Sequence, residues 1–298
     1  MKAIDTIYKC RRVLLALSGM ALLAACQPEY TTYSGPEYVM FSDTLYTLPV
    51  QNDEEVFEIP VASTEKSSHD RTFGVEILTK RSNAIQGKHY EIENTSVTIP
   101  AGEMTGQVRI RGLYSNITNN DSLRLTLRLL GDERTEWNLY SNETAVMLQK
   151  CCPFDIYQFE GWAVMTSTYL MQYGTNSRKL VRIEIDPDNE DGLILKDYFY
   201  EGYDCKMTLK HGDPLNPVIK VDNQVFASTA QAFGTIYGNG KIQMTSPSAY
   251  TSYYNMCEGF LAHYMTLYVE NVGTVGLFLN VLEMISEEEA AKLKREGL

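Results

Sequence analysis

Residues 123–129 read LRLTLRL, and this stretch decides the fold of the first half of the chain. Leucine occupies every second position, and arginine or threonine fills the positions between. Because successive side chains of a β-strand point to opposite faces, the pattern predicts a strand with one buried and one wet face. Residues 57–61 and 108–111 alternate in the same way. Several short strands without helical periods between them predict an antiparallel sandwich over residues 37–150.

A second β-rich region is expected over residues 151–298. It follows the segment KCCPF at residues 150–154, where proline cannot continue a central strand. Further strands are expected at residues 181–185, 241–245, 265–270 and 275–282. Short strands of this kind suit a small antiparallel barrel or a second sandwich, and we prefer the barrel.

The only segment that convincingly predicts a helix is the end of the chain, from Ser286 onward. Ser286 and Glu289 fit a capping box, and Gly297 is a natural stop. The predicted fold class is therefore all-β. An antiparallel sandwich is followed by an antiparallel barrel-like (lipocalin-like) or sandwich domain with a short C-terminal helix.

Residues 1–25 carry the parts of an export signal. Four basic residues lie among the first twelve, and the apolar run 13–25 that follows is shorter than the roughly 20 residues that span a bilayer. The C-terminal end of this signal, Leu23-Ala24-Ala25-Cys26, resembles the lipobox of bacterial lipoproteins, whose cysteine receives lipid. We expect a lipid anchor on Cys26 in the bacterial outer membrane and a spacer over residues 26–36, with the membrane face left open. The alternative is an ordinary signal with a chance cysteine.

The charge of the chain excludes one class of partner. The whole chain has a formal charge of −12, and loss of residues 1–25 leaves 22 Lys+Arg against 37 Asp+Glu, a charge near −15. Such an acidic balance opposes binding to nucleic acid or to anionic lipid surfaces. Nucleic acid is therefore not expected as a partner.

Four cysteines remain after the signal and Cys26 are set aside: Cys151, Cys152, Cys205 and Cys257. In an oxidising envelope they can form bridges, and Cys205 with Cys257 is the plausible pair, although sequence does not settle connectivity. Free buried thiols are the alternative.

Catalytic and metal-binding motifs are missing from the sequence. No nucleophile elbow, zinc pair or phosphate loop occurs, and the four histidines are scattered. The acidic segment 186–192 resembles a calcium loop with its glycine displaced, and a hairpin turn is favoured. Glu201 and Asp204 near tyrosines are the paired carboxylates that a glycoside hydrolase would need. We predict no enzyme, no cofactor and no metal, with hydrolysis as an alternative.

Tyrosine is abundant, with twenty residues in the chain, and its positions suggest where a ligand could bind. Rings with a polar tip are common at binding surfaces, where one side is apolar and the other wet. Tyr250, Tyr253 and Tyr254 lie outside strong alternation and are the better candidates for an exposed binding site, with Tyr203 as a further candidate. Core packing is the alternative for each ring.

Four arginines also face the wet side of two predicted strands: Arg109, Arg111, Arg124 and Arg128. If the two strands were neighbours, these residues would form a basic stripe for an anionic glycan or a protein. We prefer the interpretation that these arginines lie on solvent-exposed faces and pair with nearby acidic residues.

Five segments resemble a known kind of protein. Residues 83–90 (NAIQGKHY) and 97–102 (VTIPAG) resemble the immunoglobulin-like, Calx-beta-like domain of uncharacterised Bacteroides-type lipoproteins. Residues 200–204, 233–240 and 283–290 look like their C-terminal domain of unknown function. In Calx-beta repeats an acid before the tyrosine helps to bind calcium, whereas His89 precedes Tyr90 here. Such lipoproteins accompany SusC/SusD-like outer-membrane glycan-uptake systems, so the resemblance implies nutrient capture.

The sequence thus predicts a membrane-anchored, non-enzymatic envelope lipoprotein that binds glycan or peptide. A structural partner subunit of an outer-membrane complex and a glycoside hydrolase are the alternatives.

Overall fold

The computed structural model describes residues 33, 35–119, 121–131 and 142–298. The predicted signal peptide and Cys26 lie outside the described residues. Within the described part of the chain, no helix is long and apolar enough to cross a membrane.

The described residues between 39 and 150 form a two-sheet sandwich, as the alternation predicts. Its sheets contain four and five strands. In spatial order the first is β1 (Val39–Phe41), β3 (Val56–Ser63), β7 (Thr105–Gly112) and β5 (Tyr90–Ile92), and the second is β2 (Leu45–Val50), β9 (Glu143–Lys150), β8 (Leu123–Leu130), β4 (Arg71–Ile77) and β6 (Ser96–Ile99). All neighbours are antiparallel except β2 and β9, which run parallel. The leucines of residues 123–129 are buried between the sheets, and this burial stabilises the sandwich.

The arginine stripe does not form. Strand β7 lies in the four-stranded sheet and β8 in the five-stranded sheet, so their arginines are on different faces of the sandwich. Arg109 pairs with Glu93 at 3.3 Å, and Arg128 pairs with Glu143 at 2.7 Å. These two arginines therefore belong to solvated faces with acidic partners, which was the preferred interpretation.

Residues 161–285 form a closed antiparallel barrel of eight strands. Around the barrel these are β10 (Gly161–Ser167), β11 (Arg178–Ile185), β12 (Gly192–Lys196), β13 (Cys205–Lys210), β14 (Val218–Lys220), β17 (Tyr253–Asn255), β18 (Phe260–Val269) and β19 (Gly273–Ile285). Pairing of β10 and β18 with β19 closes the barrel. A hairpin, β15 (Gln224–Ser228) and β16 (Lys241–Thr245), adds to the far end of β18. The predicted all-β class is confirmed, with the barrel rather than a second sandwich.

The barrel interior is a packed core. Tyr169, in helix α1 (Thr168–Tyr173), has its ring within 5.2 Å of the rings of Phe199, Phe226 and Phe278. At the other end Phe159 packs edge-on against Tyr254 at 5.8 Å. Buried aromatic and aliphatic side chains therefore fill this part of the barrel interior.

Two short helices complete this half: α2 (Thr229–Phe233) and α3 (Glu287–Arg295). Ser286 caps α3 by accepting a hydrogen bond from the Glu289 N–H at 3.1 Å, as the capping box predicts. The Lys294 ammonium lies 3.5 Å from the centre of the Trp162 ring, on the outside of β10. This cation–π contact holds α3 against the barrel.

Candidate ligand-binding site

A cleft of about 430 Å³ lies at the junction of the sandwich and the barrel. The sandwich contributes Gln51 after β2, residues just before β8 that include Asp121, and the end of β9, and the barrel contributes residues of the loop 211–217 and the segment 253–258. Domain junctions are frequent sites of ligand binding, and this volume falls in the usual range.

The connecting segment after β9 forms one wall of the cleft. Pro153 ends the strand pattern, and the ring of Phe154 stacks on His211 with the centroids 4.2 Å apart and the planes 5° from parallel. The His211 Nε2 atom lies 3.3 Å from Asp191. The wall is therefore aromatic, with its imidazole held from behind by a carboxylate.

A disulfide joins this segment to the barrel. Cys152 is bonded to Cys257, and both residues line the cleft. The predicted pairing of Cys205 with Cys257 is wrong. The side chain of Cys205 points into the barrel core beside Met207 and Leu209, whereas Cys257 lies in the turn before β18.

The two remaining thiols are shielded. Cys205 and Cys151 are free and buried. Burial raises the pKa of Cys205, and it raises the pKa of Cys151 to about 11. Both stay as thiols at neutral pH, so neither is an activated nucleophile.

Two exposed tyrosines lie on the outer face of the barrel, and each is backed by a second aromatic ring from β18. Tyr253 is 43% exposed and packs edge-on against Phe260 at 6.0 Å. Tyr250 is 52% exposed and stacks on Tyr264 with the centroids 5.1 Å apart. Tyr253 also lines the cleft. We call these four residues the aromatic strip.

The predicted tyrosine group is only partly assembled. Tyr254 is 2% exposed, and burial raises its pKa to about 12. Its prediction as an exposed residue is wrong, because it follows Tyr253 on one strand and so points inward. Tyr203 lies in the connection between β12 and β13. The up-and-down order of the strands places that connection at the end of the barrel opposite the cleft.

The two rings of β18 that support the exposed tyrosines were not identified from the sequence. Phe260 and Tyr264 lie on the outer face of β18, which alternates with the buried residues Leu261, His263 and Met265. The same period of two that identified other strands would have placed both rings outside.

Carboxylates dominate the charged groups of the cleft. Asp121, Asp213 and Glu258 line it, against the single ammonium of Lys150. A hydrogen bond from Asn216 lowers the pKa of Asp213, and the Thr118 N–H lowers that of Asp121, so both are ionised at neutral pH. Lys150 donates to the Ile117 carbonyl at 2.8 Å. The cleft therefore presents a net negative field.

The paired-carboxylate alternative is not supported by Asp204. Burial raises its pKa, but the hydrogen bonds from the Lys196 ammonium and from the Asp197 N–H outweigh burial, and the net shift is downward. A glycosidase acid needs a raised pKa. Glu201 lies exposed in the neighbouring turn.

The two candidate calcium segments have other roles. Residues 186–191 join β11 to β12 as a hairpin turn, as favoured from the sequence, and Asp186 pairs with Lys206 at 3.0 Å. His89 is buried, and its Nδ1 accepts a hydrogen bond from the Ile85 N–H at 3.1 Å. Across the residues that the structure describes, no group of three His, Cys, Asp or Glu side chains is placed to hold a metal.

Comparison with known families matches residues 139–296 to the family described as "Domain of unknown function (DUF4984)". A comparison with the curated proteins finds no match.

Three solved structures illustrate the similarity, two over most of this chain and one over less than half of it. A protein of unknown function from Bacteroides ovatus is 10% identical over 84% of this chain and 95% of its own, with a TM-score of 0.34. An auxiliary nutrient binding protein from Bacteroides thetaiotaomicron is 12% identical over 87% and 95%, with a TM-score of 0.29. The apo-form Calx CBD1 domain is 17% identical over 39% and 98%, with a TM-score of 0.32. All three scores are below 0.5, so the assignments below rest on the residues of this chain.

Proposed function

The chain belongs to the family described as Domain of unknown function (DUF4984), and for it we propose a non-enzymatic role in glycan capture at the bacterial envelope. The observation that carries the proposal is the aromatic strip beside the junction cleft. Exposed tyrosines there are held in place by other rings.

The chemistry of the strip and cleft suits a sugar. A pyranose ring has an apolar face of C–H groups that packs against an aromatic ring, while its hydroxyls seek polar partners. Tyr253 offers a ring at the rim, and Gln149, Asn255 and Glu258 offer amide and carboxylate groups within the cleft. A few polar groups near an aromatic wall are the usual composition of a small-ligand site.

A non-enzymatic role is supported by the state of the candidate catalytic groups. Asp204 is committed to Lys196, and the free thiols are buried and protonated. His263 is fully buried, and its neighbour is the Tyr198 hydroxyl, at 3.0 Å. Of these groups only Cys151 lines the cleft, and its thiol stays protonated at neutral pH, so none of them provides an activated nucleophile for a bound sugar.

The lipobox at residues 23–26 supports an anchor on Cys26 in the outer membrane. In that setting the protein would hold glycan close to a SusC/SusD-like uptake complex, which is the partner that the resemblance implies. Labelling of cells with tritiated palmitate tests the anchor. Incorporation that persists in Cys26→Ala would contradict it.

Affinity electrophoresis tests the binding role. The full chain, purified in detergent, is run through gels that contain neutral or acidic polysaccharides. We expect retardation on at least one neutral polysaccharide, and loss of it in Tyr253→Ala. Tyr237→Ala is the matched control, because Tyr237 is 47% exposed but lies away from the cleft. No retardation on any polysaccharide, with capture of an outer-membrane protein complex instead, would favour the structural-subunit alternative.

A further inference from the structure

The aromatic strip has a direction and a length. Phe260 and Tyr264 are four residues apart on the same face of β18. At about 3.3 Å per residue their side chains are about 13 Å apart along the strand. Tyr253 packs against the first ring and Tyr250 against the second, so the two exposed rings follow one another along β18.

Both exposed rings are held before any ligand arrives. Ser252, between them in sequence, accepts a hydrogen bond from the Tyr264 N–H at 2.9 Å and donates to the Tyr264 carbonyl at 3.3 Å. This pair of bonds extends the β17–β18 pairing toward Tyr250. Because each exposed ring already packs against another ring, binding loses less side-chain entropy than it would with unsupported rings.

The strip is continuous with the cleft. Tyr253 lines the cleft and is also the first exposed ring of the strip. A chain that places one end in the cleft therefore meets Tyr253 and then Tyr250 as it leaves along β18.

The charges of the cleft select among such chains. Three carboxylates line it, while the one lysine is held by the Ile117 carbonyl and lies 4.2 Å from the centre of the Tyr114 ring. Uronic acids and sulfated sugars would meet repulsion without a free cation to offset it. Sugar hydroxyls, in contrast, can donate hydrogen bonds to the carboxylates.

We infer that the site takes a neutral, linear oligosaccharide of more than one sugar unit, with one end in the cleft and the following units stacked on Tyr253 and Tyr250. This inference rests on the proposed glycan-binding function. It adds the charge, the shape and the direction of the ligand.

Calorimetric titration with a length series tests it. Oligosaccharides of increasing length are prepared from a neutral polysaccharide that retards the full chain, and each is titrated into wild type, Tyr250→Ala and Tyr253→Ala. We expect affinity to rise with length and then level off. Tyr250→Ala should remove the gain of the longer chains, about tenfold for one lost ring contact, and leave the shortest binding ligand unaffected. Tyr253→Ala should weaken every length.

Two controls separate contact from folding. Tyr250→Phe keeps the ring and should keep the length dependence, and Tyr237→Ala should behave as wild type. An affinity that does not change with length, or a length dependence that survives Tyr250→Ala, would overturn the inference while the glycan-binding function stands. Equal binding of a uronic-acid chain of the same length would overturn the assigned charge. Absence of binding at every length would instead count against the proposed function.

Discussion

Acid should weaken the barrel through His263. The imidazole lies inside the barrel, with Nδ1 3.0 Å from the Tyr198 hydroxyl, and Nε2 has no hydrogen-bond partner among the described residues. Burial lowers the pKa of His263 to about 4, whereas in an unfolded chain it is about 6.5. Between these values the unfolded chain binds a proton that the folded barrel does not.

The sign and size of the effect follow from this difference in pKa. Above about pH 6.5 the titration of His263 takes nothing from the free energy of unfolding. As the pH falls toward about 4 the free energy of unfolding decreases, because protonation of His263 then favours the unfolded chain. The gap between the two pKa values corresponds to about 3 kcal/mol in total, of which about 2 kcal/mol is already lost at about pH 5.

Urea unfolding at about pH 7.5 and about pH 5 measures this loss. Trp162 lies on β10 and reports the barrel. The chain has two tryptophans, so a Trp137→Phe background leaves Trp162 as the only one. His263→Gln is the comparison, since its amide can still bond to Tyr198 but does not titrate.

The comparison also removes the contribution of other groups. Asp186 and Asp204 have lowered pKa values, and their loss of stability in acid is common to both proteins. We expect the protein with His263 to lose about 2 kcal/mol more than His263→Gln between the two pH values. Equal losses, or a larger loss in His263→Gln, would refute the reasoning.

Two further predictions concern the connections of the barrel. The disulfide closes a loop of 105 residues, so Cys152→Ser with Cys257→Ser should lower the unfolding free energy by about 2–5 kcal/mol. Urea unfolding followed at Trp162 measures this, with reduced wild type as the control; an unchanged midpoint would contradict it. Ser286→Ala should cost α3 about 1 kcal/mol through loss of its cap, seen as faster amide exchange at Ala290. Ser286→Thr, which keeps the hydroxyl, should exchange more slowly than the alanine variant; equal exchange rates would contradict the capping role.

Alternation along the strands predicted the fold class well. Residues 123–129 indicated which side chains of β8 are buried, because the period of a strand reports its two faces. The same period does not report which strand lies beside it. Arg109 and Arg128 are on strands that follow each other in sequence but belong to different sheets. Pairing depends on long-range contacts that a local pattern does not contain.

The errors in the candidate site have a related cause. Residues 250–254 lack strong alternation and predict no strand, so Tyr253 and Tyr254 receive the same expected exposure, although neighbouring residues of a strand point to opposite sides. Cys205 precedes Lys206, Met207, Thr208 and Leu209, and that alternation would have placed its thiol in the core. The partner of Cys257 comes from the connecting segment, whose position depends on how the two halves meet.

A crystal structure of the full chain with the neutral oligosaccharide that binds it most tightly would test the central claim most directly. We expect one sugar unit in the junction cleft and a second packed face to face on the exposed ring of Tyr253 or Tyr250. An oligosaccharide bound at the opposite end of the barrel, near Tyr203, or on the sandwich away from the cleft would contradict the proposed site.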